Sequence, residues 1–167
     1  MKFIQLTTNS EETCKAFELL MYDYIDEMNI HSHRPLPKEF QLKWIKSIIA
    51  DQGAKDCHLE LCYLGDYPIG FLYGRVDHEN HKENVRLGYG YIMEYYVKPE
   101  LRRKGYGKAM LEHLEQLFYD DGVKMMYLTA DPVTGKPFWE KMGFVNTLEK
   151  MPLNQLYIYE KPVLSQQ

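Results

Sequence analysis

The segment from Tyr91 to Leu114 constrains the fold more than any other part of the chain. It reads YIMEYYVKPELRRKGYGKAMLEHL. An apolar strand pattern ends at Val97, Pro99 prevents that strand from continuing, and an amphipathic helical pattern follows the basic run RRKGYG. The sequence therefore predicts a strand, a basic glycine-containing loop and a helix in immediate succession.

This loop has the features of a site for an anion such as pyrophosphate. Gly105 and Gly107 let the backbone turn tightly and approach a ligand without a Cβ in the way. The first N–H groups of the helix have no internal partner, and the helix dipole adds partial positive charge there. Four cations surround the same point in a chain of net charge -4: Arg102, Arg103, Lys104 and Lys108. The alternative is a surface turn at a basic helix start, but strand, proline, basic run, glycine pair and helix in this order favour phosphate binding.

Two common nucleotide-binding motifs are excluded at this position. The spacing of a Walker A loop is absent, and Met110 occupies the third glycine position of the dinucleotide fingerprint GxGxxG. The pattern instead resembles motif A of the GCN5-related N-acetyltransferases (GNAT), usually written Q/R-x-x-G-x-G/A. Its defined positions are filled by Arg102, Gly105 and Gly107, and the family's usual V-x-P precedes them as VKP. A second segment, PFWEKMGF at residues 137–144, resembles the family's AFYEKLGF.

The resemblance implies a single GNAT domain over residues 1–167, of the α/β (α+β) class. Such a fold has a mixed, mostly antiparallel sheet with splayed central parallel strands and helices on both faces. The element order read from the sequence, β-αα-βββ-α-β-α-ββ, agrees with it. By resemblance the splayed strands are Tyr91–Val97 and Lys124–Ala130. The residue patterns also predict a first helix over Glu11–Met28 with Asn9 as its N-cap, and a third helix over Lys104–Asp121.

The resemblance also implies acetyl-CoA as co-substrate and no metal. Strand amides near Tyr96 and Val97 would hold the pantetheine arm and the thioester carbonyl, and a bulge typical of the family would free them. Asp131 stands where many relatives have an Asn that binds the pantetheine, although an ionised carboxylate cannot donate a hydrogen bond. The predicted cofactor-binding residues are Tyr96, Val97, Arg102, Arg103, Lys104, Gly105, Tyr106, Gly107, Lys108, Asp131 and Phe138.

Glu94 is the predicted catalytic residue. It lies three residues before Val97, where several relatives carry a functional Glu, and a half-buried carboxylate can accept the proton of an amine, directly or through water. The alternative is a solvent-facing Glu paired with a neighbour in the strand. Relatives often have a Tyr in the AFYEKLGF segment that protonates the thiolate, but this chain has Trp139, whose indole N–H is too weak an acid. Either solvent or another tyrosine then supplies the proton, or activity is lost; the candidate tyrosines are Tyr95, Tyr127, Tyr157 and Tyr159.

Two functions are therefore compared. The first is an acetyl-CoA-dependent N-acetyltransferase that moves the acetyl group to a primary amine of a small molecule, a polyamine, an antibiotic or a peptide N-terminus by direct attack. The alternative is a non-catalytic acyl-CoA-binding sensor or interaction module with the same fold, which Trp139 favours. The first two helices and the loop DHENHKENVRLG at residues 77–88 are expected to set the acceptor.

Composition limits the partners and the compartment. A net charge of -4 and a pI near 5.9 disfavour nucleic acid and mildly favour a cationic substrate. No apolar run has the length of a membrane span, so no membrane partner is expected. The sequence becomes polar early, directly after Leu6, and this favours a cytoplasmic protein. Three cysteines without a CxxC pair, and histidine pairs without a third ligand, predict no metal site. The sequence is compatible with a homodimer.

Overall fold

The computed structural model of the chain describes residues 1–81 and 85–164. The helices in this part of the chain are α1 (Glu11–His31), α2 (Lys38–Ala50), α3 (Tyr106–Asp120) and α4 (Gly135–Lys141), with a short 3-10 turn at Pro99–Leu101. The strands are β1 (Lys2–Gln5), β2 (Cys57–Leu64), β3 (Tyr67–Val76), β4 (Gly90–Val97), β5 (Met125–Thr129), β6 (Val145–Lys150) and β7 (Tyr157–Pro162). Of the helices described, none combines the length and the apolar character that crossing a membrane requires.

The strands form one sheet in the order β1-β2-β3-β4-β5-β7-β6. The pairs β1–β2, β5–β7 and β6–β7 are antiparallel, whereas β4 and β5 are parallel. The parallel ladder joins Gly90 to Met126 and Tyr91 to Tyr127, at the beginning of β4. The predicted mixed, mostly antiparallel sheet is confirmed.

The chain forms two compact units. The first comprises Met1–Tyr73 and Glu94–Gly107, and the second comprises Gly74–Met93 and Lys108–Gln167. Strands β3 and β4 therefore contribute residues to both units. The single domain over residues 1–167 stays a prediction.

Helix α1 supplies much of the core of the first unit. Its apolar residues recur at helical spacing, so that one stripe of the helix is removed from water. Burying a large apolar side chain contributes about 1.5–3 kcal/mol. The side chains in this core are Phe17, Leu20, Met21 and Ile25 of α1, Ile45 and Ile48 of α2, and Leu59, Leu61, Ile69 and Phe71 of the strands.

The ends of α1 differ from the sequence prediction. Ser10, and not Asn9, is the N-cap, because it has extended backbone angles and its hydroxyl accepts the N–H of Thr13. The prediction of Asn9 is wrong by one residue. The helix also continues three residues beyond Met28, to His31.

The second unit is built around α3. Phe118 of this helix lies over two strand glycines, since a Cβ added at Gly74 or Gly90 would meet its ring within 3 Å. The helix ends in a Schellman turn: Gly122 has a φ of 81°, and the N–H of Val123 donates to the Phe118 carbonyl. This apolar face also includes Met110, Leu111 and Leu114.

Gly70 permits a close approach of two backbones inside the first unit. A Cβ added there would collide with the carbonyl oxygen of Tyr96 and lie 3.2 Å from the Cα of Val97. Backbone atoms cannot move aside as a flexible side chain can. The residue at position 70 in β3 therefore controls the path of the end of β4.

We expect Gly70→Ala to lower the free energy of unfolding by about 1–3 kcal/mol, as overpacking does. The measurement is chemical denaturation. Gly135→Ala is the matched control, because its added Cβ meets nothing closer than 3.4 Å and alanine favours a helix. Equal stabilities of the two variants would contradict the close approach.

Candidate active site

Glu94 lies half-buried in β4 and is hydrogen-bonded to α1. The hydroxyl of Tyr24 donates to Oε2 of Glu94 over 2.6 Å. Burial raises the pKa of Glu94 from 4.5 to about 7, and the Tyr24 hydrogen bond acts in the opposite direction. A carboxyl group with this pKa can accept and release a proton near neutral pH, which is the property required of a general base.

The ring of Tyr24 is held in an aromatic cluster. Its centroid lies 5.7 Å from that of Phe71, nearly perpendicular to it, and 5.6 Å from that of Tyr96. The predicted cofactor residue Tyr96 thus has its side chain buried in this cluster, whereas the predicted role of its backbone amide stays a prediction. The helical spacing of α1 places Tyr24 on the same apolar face as Phe17 and Met21, but no local pattern reveals a contact across 70 residues.

Arg102, the first residue of the motif, connects three parts of the first unit. Its Nε donates to the Val97 carbonyl over 2.8 Å, and its two terminal nitrogens donate to the two oxygens of Glu27 over 2.8 and 2.7 Å. Its guanidinium carbon lies 5.6 Å from the centroid of the Tyr96 ring. The Glu27 hydrogen bond is the main reason that the pKa of Arg102 is raised. Arg102 thereby fixes the end of β4 to α1.

The loop after Arg102 is exposed and tightly turned. Arg103 has a φ of 60° and Gly105 a φ of 88°, and α3 begins only at Tyr106, two residues later than predicted. A left-handed backbone costs a residue with a Cβ about 1–2 kcal/mol, so Arg103 is strained. Lys104 and Lys108 are also exposed. The predicted basic loop is therefore open to solvent.

The start of α3 is tied to β4 by a second hydrogen bond. The hydroxyl of Tyr95 donates to the carbonyl of Gly107 over 2.6 Å. The first four N–H groups of any α-helix have no acceptor within the helix, and here these groups follow the basic loop directly. Lys108 forms an exposed ion pair with Glu112 at 3.7 Å, which constrains its ammonium group little.

Asp131 and Phe138, the other predicted cofactor residues, lie in the second unit. The Asp131 carboxylate accepts the N–H of Val133 over 2.8 Å and the hydroxyl of Thr134 over 2.7 Å, so it stabilises the turn before α4. Phe138 is half-buried and its centroid lies 4.8 Å from the Trp139 ring, edge to face. Their contacts with a cofactor stay predictions.

By the resemblance of PFWEKMGF to AFYEKLGF, Trp139 stands where relatives often have a tyrosine. It is buried, and Phe144 contacts it edge to face at 5.3 Å between centroids. Its neighbours are thus those of a residue in the core of the second unit. Gly143, with a φ of 97°, follows α4 and turns the chain back.

Burial makes two of the candidate tyrosines poor acids. The pKa of Tyr95 is raised well above 10, mainly by burial. The pKa of Tyr127 is also raised by burial and by the hydrogen bond that its hydroxyl donates to the Asp77 carboxylate. Of the other two, Tyr159 is buried and donates weakly to Glu140, and Tyr157 is largely exposed. The proton of the thiolate is therefore not assigned to Tyr95 or Tyr127.

A cavity of about 550 Å³ opens on the first unit beside the end of β4. Two cations line it, and each has an acidic neighbour: Lys98 lies 3.8 Å from Asp23, and Arg102 is paired with Glu27. Its lining residues are Asp23, Asp26, Glu27, Ile30, Tyr96, Lys98, Pro99, Glu100 and Arg102. Four carboxylates against two cations give the cavity a negative character.

The described part of the chain contains no group of three or more His, Cys, Asp or Glu residues placed to hold a metal ion. His78 and His81, one of the histidine pairs of the sequence, contact each other locally, since the His78 N–H donates to Nδ1 of His81. Residues 82–84 of the predicted acceptor loop lie outside the described residues.

Comparison with known proteins identifies the family. Residues 17–144 match the Acetyltransferase (GNAT) family, so the chain belongs to that family and is an acyltransferase. No curated protein is significantly similar to it in sequence.

Several solved structures share the fold. PaiA N-acetyltransferase from Thermoplasma acidophilum, in complex with coenzyme A, has a TM-score of 0.69 at 16% identity over 96% of this chain and 98% of that chain. An aminoglycoside 6'-N-acetyltransferase complexed with coenzyme A has a TM-score of 0.71 at 12% identity over 100% and 99%. Tetrahymena GCN5 has a TM-score of 0.68 at 14% identity over 98% and 97%. At these sequence identities the comparison shows that the structures share a fold.

The pairing of Arg102 with Glu27 predicts a measurable coupling. The side chains are only 38% and 26% exposed and the geometry is bidentate, so a double-mutant cycle of Arg102→Ala and Glu27→Gln should give a coupling of about 1 kcal/mol in unfolding free energy. The exposed pair Lys136–Glu140, with its atoms 3.9 Å apart, is the control and should give no more than about 0.5 kcal/mol. Additive effects of the two substitutions at Arg102 and Glu27 would show that the pair does not fix the loop.

Proposed function

We propose that the chain is an acetyl-CoA-dependent N-acetyltransferase whose acceptor is a primary amine. The observation that carries this proposal is Glu94, a half-buried carboxyl group of near-neutral pKa on the strand that leads into the basic loop. An acyl-CoA-binding module has no need of such a group. Burial of an ionisable side chain costs free energy, and it is typical of catalytic acids and bases. The buried Trp139 is the feature that favours the non-catalytic alternative.

The cofactor is acetyl-CoA, and its pyrophosphate binds at the loop. The free N–H groups at the start of α3 and the exposed cations Arg103, Lys104 and Lys108 supply the contacts. Arg102 anchors the loop through Val97 and Glu27 and need not reach the phosphate. Two solved structures of the same fold were obtained with coenzyme A, which supports the choice of cofactor.

The reaction is a direct attack of the amine on the thioester. The acceptor amine must be neutral to attack. Glu94 accepts the proton that the amine nitrogen loses, directly or through a water molecule. A C–N bond forms, the C–S bond breaks, and coenzyme A leaves as a thiolate that takes its proton from solvent. No side chain of the protein forms a covalent bond. Positioning of the two reactants and of backbone N–H groups supplies the rest of the rate enhancement.

A cationic acceptor suits the charge of the first unit. The cavity beside β4 has four carboxylates and the two cations Lys98 and Arg102 in its lining, and the excess of negative charge attracts an ammonium group. Polyamines, aminoglycosides and peptide N-termini all carry such groups. Thiol release from acetyl-CoA, measured with a panel of these amines, tests the proposal and ranks the acceptors.

We expect Glu94→Gln to lower turnover about a hundredfold or more, because glutamine cannot accept the proton. The affinity for coenzyme A should remain nearly unchanged. In the wild type the rate should rise with pH through about 7, as the carboxylate ionises, whereas the variant should lack this inflection and recover only partly at high pH, where the amine is neutral without a base.

Glu60→Gln is the matched control, since Glu60 is a half-buried glutamate of β2 in the same unit. It should retain full turnover. The stability of each protein is measured separately. Because the pKa of Glu94 is raised in the folded state, the free energy of unfolding of the wild type falls as pH rises from 4.5 to about 7. Glu94→Gln should therefore gain stability relative to the wild type between pH 5 and 8. A Glu94→Gln protein that is at least as stable as the wild type and has wild-type turnover would remove Glu94 from the mechanism.

A further inference from the structure

One face of α1 contacts both Glu94 and the anchor of the basic loop. Tyr24 and Glu27 are three residues apart, so their side chains leave the helix on the same side. Tyr24 donates its hydroxyl hydrogen to Glu94, and Glu27 accepts two hydrogen bonds from Arg102. The loop motif and the carboxyl group of β4 are thus held by neighbouring turns of one helix.

The aromatic cluster gives the hydroxyl of Tyr24 a fixed direction. Phe71 lies against its ring at 5.7 Å, and Phe71 is itself held by Phe17 at 5.2 Å, edge to face. Tyr96 lies 5.6 Å from the ring of Tyr24 and 5.9 Å from that of Phe71, so the three rings contact one another. Tyr24 is half-buried, and these ring contacts hold it where its hydroxyl donates to Glu94.

Burial and one hydrogen bond act on the carboxyl group of Glu94. Burial raises its pKa and the Tyr24 hydroxyl lowers it. On α1, Asp23 and Glu27 flank Tyr24, and both carboxylates act on the pKa of Tyr96. On β4 the neighbours of Glu94 are the phenols Tyr95 and Tyr96, both with raised pKa values. Tyr24 is thus the group that stabilises the ionised form of Glu94.

We propose that Tyr24 is a positioning residue for Glu94: its hydroxyl holds Oε2 in place, which leaves Oε1 as the oxygen that receives the proton. This inference rests on the proposed function of Glu94. It adds a residue from α1 to the site residues that the sequence predicts on β4 and the loop. If the Tyr24 hydroxyl only filled space, replacing it by hydrogen would leave the pKa of Glu94 unchanged.

The test is Tyr24→Phe, which keeps the ring in its cluster and removes only the hydroxyl. We expect the rising limb of kcat/KM against pH to move upward by about one pH unit, the value of one hydrogen bond. Activity should fall about tenfold near pH 6 and recover at pH 9. Tyr22→Phe, two residues away on another side of the same helix, is the control and should leave the profile unchanged.

A direct titration separates this inference from the proposed function. Carboxyl-labelled glutamate would be followed by carbon NMR, with the Glu94 signal assigned from Glu94→Gln and folding checked by thermal unfolding. An upward shift in both the NMR midpoint and the kinetic limb of Tyr24→Phe supports the inference. If neither moves while Glu94→Gln is inactive, Tyr24 has no such role and the proposed base stands. If Glu94→Gln is fully active, the proposed base is wrong and the inference falls with it.

Discussion

The candidate site of the first unit depends on the hydrogen bonds that the guanidinium group of Arg102 donates. This group donates to the carbonyl of Val97, where β4 ends, and to both oxygens of Glu27 on α1. Charge-assisted bidentate hydrogen bonds are among the stronger polar contacts in proteins. They connect the end of β4 and the start of the basic loop to α1. The exposed loop that follows, including the strained Arg103, is supported by this anchor.

The same helix contacts Glu94 through the hydroxyl of Tyr24. A carboxyl group in water would be ionised at neutral pH, but half-burial in β4 raises the pKa to about 7. The hydrogen bond from Tyr24 limits that rise and directs one oxygen. Burial and hydrogen bonding thus oppose each other, and their balance gives a group that changes its charge near neutral pH. Burying a carboxyl group lowers the stability of the fold, and functional sites commonly contain groups whose pKa is shifted in this way.

The sequence predicted the order of the elements and the family, because periodicity, Pro99 and the motif glycines act locally. It also placed Glu94 on the correct strand. It did not predict Tyr24 or Glu27 as partners, since both contacts join residues at least 70 positions apart and both residues suit an ordinary amphipathic helix. Local rules likewise failed at the N-cap, where Ser10 and Asn9 are equally suitable by type.

The central claim is that backbone N–H groups and exposed cations of the loop hold the pyrophosphate while Arg102 remains an anchor. Nitrogen-15 NMR during titration with coenzyme A tests it most directly, because backbone amides and the Arg102 Nε–H give separate signals. We predict that the amide signals of residues 103–108 move most and that the Arg102 Nε–H signal, bonded to the Val97 carbonyl, stays in place. A large shift of the Arg102 signal with unmoved loop amides would contradict the account.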